Sequence, residues 1–388
     1  MNKILLLIIP ISLLLTGCYD YKEINSIAIA SATEITKENG EYITTIQAIN
    51  PQAPDKTTIS QAPFVIYSEK GKTLQEAYRK ISLKSSRFIY SSHLQLLIIN
   101  EELAKEDITE IIDFYIRNPS IRTEFYVAIG KDKNILKVIT PIDEISSTSI
   151  KESIETNTKY LGSVSKVTFN EFVNMTINPN LEIVLPTIEL IEKEEKSTGE
   201  KTENTEDTEP KNYYKLTGLA YFKNNKLKGY LTTEESRNYN IITNNIKNTI
   251  ITYECQKDKY LTTEITSSKS NIDISNNNIN ISIKLTGNLN ESLCHYELKK
   301  ESTINKIENE ISTHLEKELT NNINKMKDKY NIDAYGFLDN IYKHDYKTYK
   351  KIKASWYTDT YKNYKVNVSV DTKLVEKGNA MEEINEKS

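Results

Sequence analysis

The sequence predicts a mixed α/β (α+β) fold of three domains, with antiparallel or mixed sheets packed with helices and one long helix lying on the sheet of the last domain. The length supports several domains, because 388 residues exceed the roughly 150 residues of a usual domain. Early in the chain, apolar runs of strand length alternate with segments whose apolar residues recur at helical spacing. Later, a two-residue apolar alternation precedes a long stripe spaced by three and four residues.

The first predicted domain covers residues 26–140 and is an α/β unit. Asn39-Gly40 stands between two alternating segments, and this pair is a strong hairpin signal. One helix begins at Thr73, and another begins at Glu101-Glu102, where negative charge complements the helix dipole. The predicted strands cover residues 27–31, 42–49, 64–67, 94–99 and 123–129.

The second predicted domain covers residues 141–246. Asn224-Asn225 marks a hairpin turn, and residues 192–212 are rich in Glu, Lys, Thr and Asn with no large apolar side chain. Such a segment cannot bury enough apolar surface to fold, so we predict a disordered acidic loop, with an acidic interaction segment as the alternative. The other predicted elements are helices at 145–161 and 169–177 and strands at 181–191, 216–222 and 226–231.

The third predicted domain covers residues 247–376, and a frayed charged tail follows at 377–388. Period-two alternation on both sides of Asn276-Asn277-Asn278 predicts a hairpin. The apolar stripe from Ile304 to Met326 predicts a helix over residues 302–330 that packs on this sheet, rather than a coiled coil with a partner. A shorter helix carries Tyr342, Tyr346, Tyr349, Ile352 and Trp356, which we interpret as core rather than a docking surface, and residues 364–374 form the last strand.

The start of the chain predicts a secretory signal over residues 1–17. Its apolar run, residues 4–15, is about 12 residues long, whereas a spanning helix needs about 20. Leu15, Thr16, Gly17 and Cys18 resemble a bacterial lipobox, in which the cysteine receives a diacylglycerol and becomes the first mature residue. We therefore expect Cys18 to be a lipid anchor followed by a tether over 18–25; a secreted protein or an uncleaved anchor are the alternatives.

The composition argues against several classes of function. The net charge is -4, so there is no basic footprint for nucleic acid. The four histidines (93, 295, 314 and 344) form no metal or protease motif, and phosphate-binding and nucleophile-elbow motifs are absent from the sequence. We predict no catalytic, metal or cofactor site. Cys255 and Cys294 lack redox-motif spacing and are either disulfide-bonded or two buried thiols.

Several segments occur in the order found in a known family. The chain resembles the Ger(x)C family, the lipoprotein C subunits of spore nutrient germinant receptors, with Tyr19 standing where that family usually has Trp. The resembling segments are residues 18–25, 67–73, 91–94, 113–122, 218–222, 229–231, 335–337, 356 and 366–368.

The resemblance implies a non-enzymatic receptor subunit anchored by lipid on the outer face of the spore inner membrane. It implies two kinds of partner, a polytopic receptor subunit and a transporter-like subunit, which together with this chain sense nutrients. An alternative class, the substrate-binding lipoprotein of a transporter, would show two similar α/β lobes around a cleft.

Overall fold

Two β-sheets and the helices packed on them form the described part of the computed structural model, which comprises residues 26–49, 62–140, 143–192 and 212–376. The mixed α/β class predicted from the sequence is confirmed, including the long helix that packs on the second sheet. One sheet has nine strands and the other has four.

The nine-stranded sheet is parallel at its centre and antiparallel at both ends. Its order is β3-β2-β1-β5-β6-β7-β8-β9, and β4 pairs with the first residues of β1. The strands β1, β5, β6 and β7 run parallel to one another. The bounds are β1 Ile27–Glu38, β2 Glu41–Ile49, β3 Phe64–Gly71, β4 Phe88–Tyr90, β5 Leu96–Asn100, β6 Tyr126–Gly130, β7 Val184–Glu192, β8 Asn212–Lys223 and β9 Lys226–Leu231.

The sheets do not follow the predicted boundary at residue 140. Strands from both predicted units, 26–140 and 141–246, belong to the nine-stranded sheet. The connection is made by β7, in which Thr187 pairs with Ile129 of β6. This pairing is non-local, so the periodicity of each segment did not reveal it.

Helices cover both faces of this sheet, as a buried parallel centre requires. Every residue of β5 is buried, and its side chains alternate between two apolar clusters. Leu97 and Ile99 share one cluster with α2, α3 and α5, whereas Leu96 and Ile98 share the other with α4. The helices are α1 Leu74–Lys80, α2 Glu101–Ala104, α3 Thr109–Arg117, α4 Ser146–Tyr160, α5 Phe169–Ile177 and α6 Thr233–Ile242.

The four-stranded sheet has the order β10-β11-β12-β13 and contains the predicted hairpin. Asn276 and Asn277 have φ of 49° and 60°, the left-handed pair that a two-residue hairpin turn requires. Ile274 then faces Ile279 across the turn. The bounds are β10 Thr249–Gln256, β11 Lys259–Ser275, β12 Asn278–Ser292 and β13 Lys365–Glu376.

The long helix α7, Glu301–Asn324, continues as a π-helical turn over Lys325–Tyr330 and packs on this second sheet. The predicted stripe is buried from Ile304 to Met326. The core reaches beyond the second sheet, because Leu219 of β8 belongs to the same apolar cluster. The two sheets therefore share buried apolar surface.

The long helix also covers the outer edge of β13. Glu316, Ser312 and Glu308 accept hydrogen bonds from the backbone N–H groups of residues 370, 372 and 374, at 2.9, 3.2 and 2.8 Å. The helical acceptors are four residues apart and the strand donors two, so one helix turn matches two strand residues. Unpaired edge groups invite strand addition, and the helix satisfies three of them here.

Two predicted helices are interrupted. The helix predicted from Glu101 is two helices, because the Asp107 carboxylate accepts the Thr109 N–H at 3.0 Å and begins a new helix. The helix predicted from Tyr342 to Trp356 is broken at Asp345, which caps a second helix through the Thr348 N–H. The resulting elements are α8 Phe337–His344, α9 Tyr346–Ile352, a π-helical turn Trp356–Thr360 and α10 Tyr361–Asn363.

Several predictions fall outside the described residues: the signal at 1–17, the tether at 18–25, the interior of the acidic loop at 192–212 and the tail at 377–388. The helix α6 was missed, although Thr232 and Glu235 form a capping box at its start. Within the described ranges, no helix combines the length and apolar character needed to cross a bilayer.

Candidate functional site

The residues singled out in the sequence do not assemble into a single site. Leu15, Thr16, Gly17 and Cys18 precede the first described residue. Cys255 at the end of β10 and Cys294 after β12 are joined by a disulfide, with their Cα atoms 6.4 Å apart. This bond links β10 and β12, the strands on either side of β11, at the end of the sheet where β11 begins.

Three of the four histidines make local contacts. His93 packs edge-on against Tyr90, and His314 lies 3.4 Å from Glu318 on the same helix. His295 lies 3.0 Å from the Lys259 ammonium. Among the described residues there is no group of three or more His, Cys, Asp or Glu side chains that could hold a metal ion.

A surface cleft lies between α1 and α3 and has a volume of about 840 Å³. Part of its lining comes from two segments that resemble the family, residues 67–73 and 113–122. Leu74 and Phe114 supply apolar surface between the helices. The fold thus brings together two segments that are at least 40 residues apart in the sequence.

Most polar side chains of this cleft already have partners. Tyr42 donates a hydrogen bond to Glu110, and its pKa is raised by burial first and by this carboxylate second. Arg117 pairs with Asp113 at 2.7 Å, and the Thr73 hydroxyl caps α1 by accepting the Glu76 N–H.

A second feature is the buried carboxylate of Asp333, which holds the start of α8. It accepts the N–H groups of Phe337 and Leu338 at 2.9 and 2.8 Å and the indole N–H of Trp356 at 3.2 Å. Burial raises the pKa of Asp333 to about 7, although these three donors oppose the shift. Gly336 has φ of 71°, a conformation that favours glycine, and it lies directly before α8.

Polar contacts also join the nine-stranded sheet to the C-terminal helices. Lys223 of β8 donates to the backbone carbonyl of Asn331 at 2.8 Å and lies over the ring of Tyr357. Burial raises the pKa of Glu182 above its ordinary value, and the Tyr357 hydroxyl opposes that shift. Burial lowers the pKa of Lys223, and Glu182 opposes that change. These groups fix the helices against the sheet.

Sequence reasoning did not identify Asp333 or the cleft as sites. Asp333 does stand two residues before the family-like segment Tyr335-Gly336-Phe337, and this is the signal that could have drawn attention to it. The fold and these features define a mixed α/β protein with a surface cleft between two helices and, within the described ranges, no metal-ligand cluster.

Comparison with known sequences identifies the family. Residues 20–190 match the family described as "Spore germination protein N-terminal domain", and residues 217–378 match "Spore germination B3/ GerAC like, C-terminal". The chain belongs to the Ger(x)C family of spore germination proteins, as the resemblance predicted. The two matched regions divide the nine-stranded sheet between β7 and β8.

Individual relatives match over nearly the whole chain. "Spore germination protein KC" of Bacillus subtilis (strain 168) is 30% identical over 384 residues, covering 93% of this chain and 92% of the relative. "Spore germination protein B3" of the same organism is 24% identical over 354 residues, covering 89% and 90%. A solved structure, "Crystal Structure of the GerBC protein", aligns with a TM-score of 0.53 at 17% identity over 92% of this chain and 100% of that one. This last match supports the fold.

Proposed function

We propose that this protein is a lipid-anchored, non-enzymatic subunit of a spore nutrient germinant receptor and is required for receptor assembly and for germination in response to nutrients. It resides on the outer face of the spore inner membrane, beside a polytopic subunit and a transporter-like subunit. Its ectodomain supplies recognition surfaces, among them the cleft between α1 and α3. The lipid at Cys18 confines these surfaces to the membrane and raises their effective concentration for the other subunits.

The observation that carries this proposal is family membership along both halves of the chain, with 30% identity to a spore germination protein over 384 residues. The side-chain chemistry agrees with a role in assembly. In the cleft, the hydroxyls of Tyr42 and Thr73 and the Asp113 carboxylate are engaged in structural contacts. The carboxylate oxygens of Asp333 likewise accept hydrogen bonds from backbone and indole N–H groups.

The architecture does not favour the transporter alternative. A substrate-binding lipoprotein should have two similar lobes around a cleft. The two sheets here differ in strand number, strand order and helix arrangement. The cleft described above lies between two helices of one sheet rather than between two lobes.

Deletion of the gene tests the role in germination. Spores of the deletion strain should fail to respond to the nutrients of this receptor, while germination by calcium dipicolinate, which acts downstream of receptors, should persist. A complementing copy of the gene should restore the nutrient response. Unimpaired nutrient germination, with no related subunit expressed in its place, would remove the receptor proposal.

The anchor is tested separately with Cys18→Ala. The variant should incorporate no labelled fatty acid and should accumulate as precursor or leave the membrane fraction, because two acyl chains provide the anchoring. Thr16→Ser is a matched control, since it changes the same segment and keeps the thiol. If Cys18→Ala still incorporates fatty acid and sediments with membranes as before, Cys18 is not the lipid attachment site.

A further inference from the structure

The C-terminal helices expose a surface that combines lysines with tyrosine rings, which we name the basic–aromatic surface and define as residues 342–354. Tyr342 and Tyr346 are 45% and 53% exposed. Both rings contact the ring of Tyr349, at centroid distances of 5.0 and 5.9 Å, and Tyr349 is only 8% exposed. Two exposed rings are therefore held in place by a third, buried ring.

This surface is strongly positive although the chain as a whole is not. Residues 342–354 contain five lysines and a single carboxylate, Asp345, in a chain of net charge -4. Lys343 pairs with Asp339 at 2.7 Å. Within the described part of the chain, no carboxylate lies in ion-pair distance of the remaining four. These are Lys347, Lys350, Lys351 and Lys353, all of them exposed.

Aromatic rings are the close partners of two of these ammonium groups. Lys350 lies over the ring of Tyr346 at 4.8 Å, and Lys353 lies over that of Tyr349 at 5.7 Å. Asp345 neighbours Lys347 but accepts the Thr348 N–H at the start of α9. The local excess of positive charge is thus left for an external anion.

The basic–aromatic surface lies at the end of the nine-stranded sheet where the parallel strands begin. Asn178 donates to Asp339 of α8 at 3.1 Å, and Tyr349 of α9 donates to Asn180 at 3.1 Å. Both asparagines stand just before Val184, the first residue of β7. The helices α8 and α9 are therefore docked at the starting end of β7.

The chain enters the fold at the same end. Because β1 runs parallel to β5, β6 and β7, Ile27 at its start lies on the side where β7 begins. Next to it, Phe88 pairs with Ile27 and is 40% exposed, and Leu83 in the preceding turn is 79% exposed. The tether, residues 18–25, spans at most about 28 Å when fully extended. An acyl group on Cys18 would hold this end near the bilayer.

We propose that the basic–aromatic surface rests on an anionic lipid bilayer and orients the anchored ectodomain. The orientation rests on the proposed lipid anchor, whereas the contact of the surface with the bilayer does not require that anchor. Lysine ammonium groups attract anionic headgroups, and tyrosine rings favour the interface, where the ring is sheltered and the hydroxyl stays wet. The negative groups elsewhere on the chain do not cancel this attraction, because charges are screened beyond about 8–10 Å at physiological salt.

The test uses the chain from Tyr19 onward without an acyl group, which retains every described element. Its binding is measured by cosedimentation with vesicles of phosphatidylcholine, alone or with about one third phosphatidylglycerol. Binding to the anionic vesicles should fall steeply with salt, and binding to neutral vesicles should be weak. The result cannot depend on acylation or on receptor subunits, so it is separate from the germination test.

Two matched variants each remove four exposed lysines. Changing the four lysines of the surface should weaken binding to anionic vesicles by at least about 100-fold, because each lysine near such a membrane contributes about fivefold. Changing four exposed lysines of the second sheet and its first turn should leave most of the binding intact. The surface variant is Lys347→Gln, Lys350→Gln, Lys351→Gln and Lys353→Gln, and the control is Lys257→Gln, Lys269→Gln, Lys284→Gln and Lys365→Gln.

A third variant, Tyr342→Ser with Tyr346→Ser, should weaken binding without changing its salt dependence. In the acylated full chain on anionic vesicles, amide hydrogen exchange over residues 342–354 should slow relative to neutral vesicles. The proposal is overturned if the chain does not distinguish anionic from neutral vesicles, or if both lysine variants lose binding equally. It is also overturned if the wild-type chain ignores vesicles while the surface variant blocks germination, which would assign the surface to an acidic protein partner.

Discussion

The buried carboxylate of Glu34 should make the stability of the protein depend on pH. Glu34 lies in β1 and is 2% exposed. One of its oxygens accepts the Asn134 N–H at 2.9 Å, and the other has no hydrogen-bond partner among the described residues. Burial raises the pKa of Glu34 from its usual 4.5 to about 7, while the backbone donors of the turn at residue 134 and Lys137 oppose the shift.

The sign of the effect on stability follows from proton binding. Between pH 4.5 and 7 the folded protein holds a proton at Glu34 that the unfolded chain releases. Folding is therefore favoured at low pH, and this stability is lost as pH rises through the folded pKa. With these two pKa values, about 2–3 kcal/mol of unfolding free energy should disappear between pH 5 and pH 8.

Glu34→Gln removes the titration and keeps the shape and the acceptor for the Asn134 N–H. The stability of the variant relative to wild type should be about 2–3 kcal/mol greater at pH 8 than at pH 5. Comparing the two pH values cancels any constant packing cost of the amide. Urea unfolding of the chain from Tyr19 onward measures both differences.

The exposed Glu124 provides the control, and Glu124→Gln should shift stability by less than about 0.5 kcal/mol at either pH. If Glu34→Gln changes the unfolding free energy equally at pH 5 and pH 8, Glu34 does not titrate in this window. The inferred effect of burial would then be wrong.

Urea or thermal unfolding measures the loss of stability expected at three other buried contacts. Glu308→Ala leaves the Leu374 N–H unpaired and should lower the free energy of unfolding by about 1–3 kcal/mol. It should also promote association through the β13 edge, which light scattering would detect. The change Lys317→Ala, at an exposed residue of the same helix, should have neither effect. Asp333→Asn places an amide NH₂ group opposite the N–H donors that now bind the carboxylate, and it should lower the free energy of unfolding by about 2–4 kcal/mol. If the variant is as stable as wild type, Asp333 does not act as a buried acceptor. Replacing Cys255 and Cys294 together by Ala should cost about 2–4 kcal/mol, and wild-type protein under reducing conditions should match the variant.

Elements with local sequence signals were predicted most accurately. The turn at Asn276-Asn277 was read from residue type, because asparagine tolerates the left-handed backbone that the turn requires. The helix α5 was predicted with the bounds that the structure has. The interruption at Asp345 was missed, because the apolar spacing continues through it and only the carboxylate's own hydrogen bonds break the helix.

The candidate sites were less predictable, since their residues come from distant parts of the sequence. The cleft joins segments near residues 72 and 117, and Trp356 reaches back to Asp333 across a loop and two helices. The family resemblance identified these segments but gave no contacts between them. The basic–aromatic surface contains residues that were interpreted as one apolar helix face. The structure buries Tyr349 and Trp356 and exposes Tyr342 and Tyr346.

The sequence by itself determined the class of fold, the hairpin, the long helix and the family, because each depends on periodicity, turn residues or ordered motifs that neighbouring residues carry. Only the tertiary structure decided that β7 joins β6, which places strands from two predicted units in one sheet. It also decided that Glu308 of α7 meets the N–H of Leu374, 66 residues later. Such contacts depend on where the chain returns in space, and local patterns do not encode that path.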